Sequence, residues 1–250
     1  MSRKNTKSYF SGTEKALWTI SVAVIVTTFA IFDRESYLTL SASLIGVTSL
    51  IFSAKGNPVG QFLMIIFSVL YGIISYRFGY YGEMITYLGM SMPMAAISLV
   101  AWLRNPYNGS KAEVAVSSIS KKESFFLAGL SIIVTIIFFF ILKYFGTANL
   151  LPSTFSVLTS FIAVYLTFRR SPYFALAYAA NDLVLIVLWV LAAVGEPGYI
   201  SVIACFAAFF ANDIYGFINW QRMKSRQHTT AGKTKNHSTL EQGKCCLKKD

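Results

Sequence analysis

The chain has 250 residues, of which 55% are hydrophobic and 13% are charged, and its formal net charge is +11. Average soluble domains carry about 25% charged residues, so the composition excludes an ordinary soluble domain as well as a disordered chain, and three cysteines exclude a disulfide scaffold. A helical membrane protein remains, because a chain of this length can hold about eight spans of roughly 20 apolar residues.

Eight apolar runs follow one another along the chain, each with at most one charged residue. Most of them exceed the length of about 18 residues that indicates a transmembrane helix, and the first is just shorter. Only the last two contain a charge, Asp182 and Asp213 respectively. In chain order the runs are 16–32, 37–54, 58–76, 84–103, 124–142, 144–168, 171–195 and 197–221.

The basic residues between the runs predict the orientation of the spans. If the N-terminus is cytoplasmic, the outward loops hold only Arg34, Arg77 and Lys143 of the 22 lysines and arginines, as the positive-inside rule requires. Eight spans therefore place both termini in the cytoplasm, whereas seven would put one basic terminus on the wrong side. The first run is interpreted as an uncleaved span, since it is long for a signal peptide and no convincing cleavage site follows it.

The C-terminal segment differs from the rest of the chain. Residues 222–250 are polar, with eight basic and two acidic residues, and this composition predicts a disordered cytoplasmic tail. The spacing of His228, His237, Cys245 and Cys246 matches no zinc pattern. We expect no metal and no cofactor.

Spans two to four resemble spans six to eight. The segment 52–58 aligns with 166–172, because each ends a span, supplies basic charge and begins the next span with proline. The third spans of the two units end in Trp102-x-Arg104 and Trp220-x-Arg222. One span separates the units, so both have the same orientation, as in SWEET and some other secondary transporters.

These features predict an all-α polytopic membrane protein with an extra N-terminal span and a 3+1+3 core of two parallel repeats. The predicted segments are a cytoplasmic N-terminus at 1–15, the extra span at 16–36, the first repeat at 37–104, a cytoplasmic loop at 105–123, a linker span at 124–143, the second repeat at 144–221 and the basic tail at 222–250.

Two Asn-Asp pairs lie inside the last two spans, where contact with lipid would be too costly. They either bond another helix or line a pathway. Helical spacing places further polar and aromatic residues on neighbouring faces of spans three, seven and eight. The candidate substrate-binding residues are Asn181, Asp182, Asn212, Asp213, Tyr215, Asn219, Gln61, Tyr71, Tyr178 and Trp189.

Such a pocket suits a flat, polar, cationic molecule, because aromatic faces attract cations and asparagine reads amide or hydroxyl groups. Other polar residues are expected at the membrane boundaries. Trp102 and Trp220 are predicted to be interface anchors, and Glu83 and Glu196 are predicted to be solvated at the outer ends of spans.

Three stretches resemble the PnuC family of bacterial vitamin-precursor transporters: Gly82-Glu83-Met84, Pro93-Met94 and residues 212–220, NDIYGFINW. The resemblance runs from about residue 37 to residue 222, so the first span is an addition. It implies a seven-helix 3+1+3 core in the bacterial inner membrane. It also implies import of nicotinamide riboside by facilitated diffusion, with trapping by a separate cytoplasmic kinase and no enzymatic activity in this chain.

Several alternatives remain open at this point. Relatives within the family are thought to carry thiamine, riboflavin or nucleosides, so a deoxynucleoside is also a candidate substrate. An intramembrane enzyme would need a nucleophile and a base, and the spans contain no histidine and only Cys205. A non-transporting scaffold would leave the mid-span carboxylates unexplained. The expected partners are the small-molecule substrate, the lipid bilayer and, functionally, the kinase, but not nucleic acid; a homo-oligomer is left open.

Overall fold

The computed structural model describes residues 9–147, 149–194 and 197–246, with side chains for 9–147, 149–194 and 198–230. Within these residues, eight helices are long and apolar enough to cross a membrane, which confirms the predicted number of spans. In the part of the chain that the structure describes, these eight spans comprise nine α-helices, because two helices together form the fourth span. The helices are α1 Gly12–Phe32, α2 Tyr37–Ala54, α3 Val59–Arg77, α4 Tyr81–Thr86, α5 Met92–Arg104, α6 Lys121–Tyr144, α7 Leu150–Phe168, α8 Tyr173–Ala193 and α9 Ile200–Cys246.

The fourth span consists of α4 and α5 joined by a single π-helical turn, Tyr87–Ser91. The N–H of Met92 donates to the carbonyl of Tyr87, five residues earlier, which is the bond that defines such a turn. Both ends of the turn, Tyr87 and Ser91, are buried. π-Helical turns inside helices are frequent at functional sites.

The turns after α2 and α7 have the same local geometry. Gly56 and Arg170 are in the left-handed region with φ of 67° and 57°, and each N–H closes the preceding helix by a backbone hydrogen bond, of 2.9 Å and 3.0 Å respectively. A left-handed residue after the last helical turn satisfies otherwise unpaired carbonyls. Pro58 and Pro172 then precede α3 and α8 with their fixed φ near −55°.

The segment between α5 and α6, which the sequence predicts as a loop, contains a β-hairpin. Strands β1 (Pro106–Tyr107) and β2 (Ser110–Val114) pair antiparallel around Asn108-Gly109, both with positive φ. An Asn-Gly dipeptide is the preferred sequence for such a two-residue turn. We call the end of the bundle that carries this hairpin the hairpin end.

The segment that contains the hairpin lies across the two matching turns of the bundle. The Val114 N–H donates to the Gly56 carbonyl at 2.9 Å, and the Ser117 N–H donates to the Arg170 carbonyl at 3.0 Å. The Val114 side chain is fully buried in an apolar cluster with Trp102 and other residues of the hairpin end. This segment is therefore an integral part of the packed protein at that end.

Helix α9 is longer than predicted. The sequence predicts a disordered tail from residue 222, yet α9 continues to Cys246 among the described residues, and the last four residues lie outside them. Contacts to the hairpin segment explain the start of this extension. Gln227 accepts from the Val116 N–H at 2.8 Å and donates to Glu113 at 2.9 Å, which holds α9 in place beyond the apolar part of the span.

The buried core is formed mainly by α2, α3, α8 and α9, while α1 packs on α2 and α9. Helix α6 has the highest mean hydropathy of the spans, 2.9, yet only 17% of the 18 residues in its most apolar stretch are buried. A helix that is apolar on all sides and largely uncovered by protein is typical of contact with lipid.

Candidate functional site

A pair of carboxyl groups lies at the centre of the bundle. Asp182 is near the middle of α8 and Asp213 is near the middle of the membrane-capable part of α9, and their residues are only 3% and 4% exposed. The two carboxyl groups are within hydrogen-bonding reach of each other, which requires a proton on one of them when they bond. Oδ2 of Asp182 has no hydrogen-bond partner among the described residues.

Asn181 stands beside this pair and is held by α7. Its amide oxygen accepts from the Thr159 hydroxyl at 2.8 Å and from the Ser160 hydroxyl at 2.9 Å. These two bonds fix the orientation of the amide, so the NH₂ group is preset as a donor. A donor amide next to a carboxyl pair is suited to bind an amide or hydroxyl group together with a positive charge.

The carboxyl pair and Asn181 border a small central cavity of about 20 Å³. A cavity of this size holds about one water molecule, so a nucleoside-sized ligand needs the surrounding side chains to move apart. Of the predicted residues, four line it, and half of the other eight lining residues are aromatic. The lining includes Asn181, Asp182, Asp213, Tyr178, Ser91, Phe67, Tyr87, Phe206 and Phe209.

An aromatic cluster continues from the cavity toward the end opposite the hairpin. The Tyr71 ring centroid is 4.4 Å from that of Tyr87 and 5.5 Å from that of Phe67, both of which line the cavity. Behind this layer, the Trp189 N–H donates to the Tyr71 hydroxyl at 2.7 Å. Tyr71 and Trp189 therefore close one side of the site without bordering the cavity.

The remaining predicted residues are not brought to the cavity. Three of them lie toward the hairpin end: Gln61 is 3.4 Å from the Ser53 hydroxyl, the Tyr215 hydroxyl donates to Glu14 at 3.1 Å, and Asn219 donates to the Ala54 carbonyl at 2.7 Å. Each of these contacts joins two segments of the bundle.

Asn212 points in another direction from Asp213, although the two are adjacent in sequence. Its amide donates to the Ser21 hydroxyl of α1 at 2.9 Å and to the Ala208 carbonyl at 2.7 Å. Asn212 thus attaches the extra N-terminal helix, which matches the alternative that such residues bond another helix.

The prediction for Glu83 was wrong, because this residue is fully buried and not solvated. Helix α4 begins at Tyr81, so the fourth span starts before the uncharged run that marked it in the sequence. Among the described residues neither carboxylate oxygen has a hydrogen-bond partner, although the side chain faces the Ser156 hydroxyl. Glu196 lies outside the described residues.

The predicted interface anchors Trp102 and Trp220 are also fully buried. Their ring centroids are 5.4 Å apart. The Trp102 N–H donates to the Thr167 carbonyl at 2.9 Å, and the Trp220 N–H donates to the Ser53 carbonyl at 2.8 Å. Together with Val114 they close the bundle between the central cavity and the hairpin end.

Comparison with known proteins identifies the family. Residues 36–222 match the family described as "Nicotinamide mononucleotide transporter". A curated relative, "Nicotinamide riboside transporter PnuC" of Neisseria mucosa, is 26% identical over 219 residues, covering 85% of this chain and 82% of the relative. The protein of the same name from Haemophilus influenzae is 22% identical over 193 residues, covering 77% and 82%.

A solved structure of a protein with the same family name has a similar fold. "Crystal structure of the Vitamin B3 transporter PnuC" superposes with a TM-score of 0.77 at 22% identity, over 87% of this chain and 94% of that chain. The relatives are named as transporters, in agreement with the expectation that the chain is not an enzyme. The chain belongs to the nicotinamide mononucleotide transporter family.

Proposed function

We propose that this member of the family is a uniporter through which nicotinamide riboside crosses the membrane by facilitated diffusion. The observation that carries the proposal is the buried Asp182–Asp213 pair beside aromatic side chains. Nicotinamide riboside has a flat, positively charged ring with an amide and a sugar. The carboxyl pair supplies the counter-charge, the rings supply faces for stacking, and Asn181 supplies a donor.

The proposed architecture is the 3+1+3 core, with repeats at 37–104 and 144–221 and a linker span at 124–143. Corresponding residues of the two repeats make corresponding contacts, which supports this arrangement. Trp102 ends the third span of the first repeat and bonds to Thr167 near the end of the first span of the second. Trp220 and Ser53 make the reciprocal bond.

The proposed transport cycle opens the two ends in turn around the central site. In the structure, Trp102, Trp220 and Val114 close the hairpin end, and the bond between Tyr71 and Trp189 braces the aromatic cluster on the other side. A cavity of about 20 Å³ between the two closures corresponds to an occluded state. Separation of one closure at a time would admit the substrate without a continuous pore.

Transport into liposomes tests the proposed function. Purified protein should equilibrate labelled nicotinamide riboside across the bilayer with no ion gradient and no ATP, and a kinase with ATP enclosed in the liposomes should convert equilibration into accumulation. Thiamine, riboflavin and a deoxynucleoside should compete weakly. Stronger transport of one of these would assign the chain to that substrate instead, and uphill transport driven by a proton gradient would contradict facilitated diffusion.

We also propose that the protein resides in the bacterial inner membrane with the hairpin end and both termini in the cytoplasm. In a variant whose native cysteines are replaced, single cysteines on the two sides should respond differently to an impermeant thiol reagent added to intact cells. Reaction at two of the inner positions would overturn this orientation. The outer positions are Arg34, Arg77 and Lys143, and the inner positions are Ser110 and Lys224.

Substitution of the two asparagines distinguishes a role in substrate binding from a role in helix packing. Asn181→Ala removes a donor that borders the cavity, and loss of one neutral hydrogen bond should weaken nicotinamide riboside binding by about two- to tenfold. Asn212→Ala removes the bond to Ser21 and should lower the unfolding temperature while affinity stays within about twofold. Isothermal titration and thermal unfolding of both variants check this, and equal effects on affinity would contradict it.

A further inference from the structure

A second pocket lies at the hairpin end, separate from the central cavity. Its volume is about 400 Å³, within the range of about 300–1,000 Å³ that is typical of small-molecule sites. Four segments converge on it: the N-terminal segment with Tyr9, the α2–α3 turn with Lys55, the hairpin with Glu113, and α9 with Arg222 and Arg226. Basic residues that only set topology need no such concave arrangement.

The pocket is positively charged even after its internal ion pairs are counted. Lys55 lies 3.2 Å from Glu14, and Arg226 lies 2.6 Å from Glu113. Arg222 makes no ion pair within the described part of the chain. Its charge is therefore not compensated, and two further cations flank it in the same pocket.

Neutral donors complete the lining. Asn219 borders the pocket, as does Tyr9, whose ring lies 4.9 Å from the Lys55 ammonium group. Burial raises the pKa of the Tyr9 hydroxyl, so this group stays protonated at neutral pH. It accepts from the Asn57 amide at 2.7 Å, and its own proton has only a long contact of 3.5 Å to the Ala112 carbonyl. Arginine, lysine and hydroxyl donors around one concavity are the groups that bind phosphate oxygens, and the guanidinium fork of arginine fits them with two parallel hydrogen bonds.

We propose that this pocket binds a phosphate ester at the hairpin end, with the phosphate group on Arg222 and between Lys55 and Arg226. The chemistry is opposite to that of the central cavity, where carboxyl groups face a cationic substrate. Two sources could supply the phosphate: a soluble phosphate monoester such as a mononucleotide, or the headgroup of an anionic phospholipid. Both would make the same contacts with the three basic side chains.

Binding measurements on the purified full-length protein test the site. In neutral detergent, a nucleoside 5′-monophosphate should bind, and Arg222→Gln should weaken its Kd about tenfold or more, since hydrogen bonds to charged groups are the strong ones. Lys224→Gln is the matched control. It removes the same charge from the same helix two residues away but does not line this pocket, so its Kd should stay within about twofold.

A second arm distinguishes the two sources. In nanodiscs of phosphatidylcholine with a minor fraction of phosphatidylglycerol, native mass spectrometry counts the retained anionic lipids. Loss of one lipid in Arg222→Gln but not in Lys224→Gln, with no mononucleotide binding, identifies a lipid headgroup. Arg222-dependent mononucleotide binding identifies a soluble ester. The proposal is overturned if neither ligand binds in an Arg222-dependent way, or if Lys224→Gln has the same effect, in variants with unchanged unfolding temperatures.

Discussion

Asp182→Asn and Asp213→Asn are each expected to weaken nicotinamide riboside binding by about ten- to over a hundredfold, the largest loss of affinity among the substitutions considered. A hydrogen bond to a charged group contributes about 1.5–3 kcal/mol. A cation bound beside the pair favours the ionised form of both carboxyl groups, so each variant removes one charge from the occupied site, and the site is shielded from water, so solvent does not replace that charge. The amide keeps the shape of the side chain. A neutral nucleoside should therefore lose much less affinity than the cationic substrate.

The two carboxyl groups should act as one unit, because they are within bonding reach of each other. Each single variant leaves one carboxylate, whereas the double variant leaves none and should bind the cation weakest of all. The two single effects should not add, as is usual for residues in contact. Isothermal titration of the four proteins with the cationic ligand provides the four affinities of this cycle, and titration with a neutral ligand provides the four reference values.

Glu35→Gln serves as the control, because it removes one negative charge from the exposed turn before α2. Its effect on affinity should be within about twofold, as expected for a screened surface charge. If Asp182→Asn and Asp213→Asn only lower the unfolding temperature and leave affinity equally unchanged, the carboxyl groups hold helices together and do not bind substrate.

The number of spans could be predicted from the sequence because lipid imposes a strong and simple requirement. A run of apolar residues long enough to cross the bilayer has few alternatives to a helix. The same reliance on apolar runs explains why the sequence does not predict the correct beginning of the fourth span. Glu83 is charged and therefore lies outside the uncharged run that predicts the fourth span, whereas in the structure it is buried against α7.

The candidate site was predictable only in part. Helical spacing predicted that Tyr178, Asp182 and Trp189 share a face. Tyr178 and Asp182 border the cavity, whereas Trp189 does not and bonds to Tyr71 instead. Spacing could not decide which face of α9 meets the cavity and which meets α1. Adjacent helical residues are about 100° apart, so Asp213 faces the cavity while its neighbour Asn212 faces Ser21. That choice depends on where α1 packs, which no local pattern contains.

Long-range contacts at the hairpin end were equally hidden in the sequence. A tryptophan near the end of a span is ordinarily an interface anchor, and nothing near Trp102 shows that its N–H reaches a carbonyl 65 residues away. The Asn108-Gly109 turn did carry a local hairpin signal. The burial of Val114 beneath it results from tertiary packing, which gives the closure its apolar contact.

Trp102→Phe and Trp220→Phe should each open the hairpin end, and they should do so to a similar degree. Phenylalanine retains an aromatic ring but has no N–H, so the carbonyl of Thr167 or of Ser53 loses its indole partner and keeps only backbone bonds such as the one from the N–H of Arg170 or Gly56. The net loss of one hydrogen bond costs about 0.5–1.5 kcal/mol, which shifts the ratio of closed to open states by about two- to over tenfold.

The modification rate of a cysteine at Ser91, which lines the central cavity, measures this opening in a variant that lacks the native cysteines. In inside-out vesicles the impermeant thiol reagent should react faster in both tryptophan variants. Trp189→Phe is the matched control: it removes the bond to Tyr71 beyond the cavity on the other side, so it should raise the rate only in right-side-out vesicles. We expect equal effects because the Trp102–Thr167 and Trp220–Ser53 bonds are reciprocal between the two repeats. A large effect in one tryptophan variant and none in the other would show that the two halves do not close the pathway as equivalent repeats.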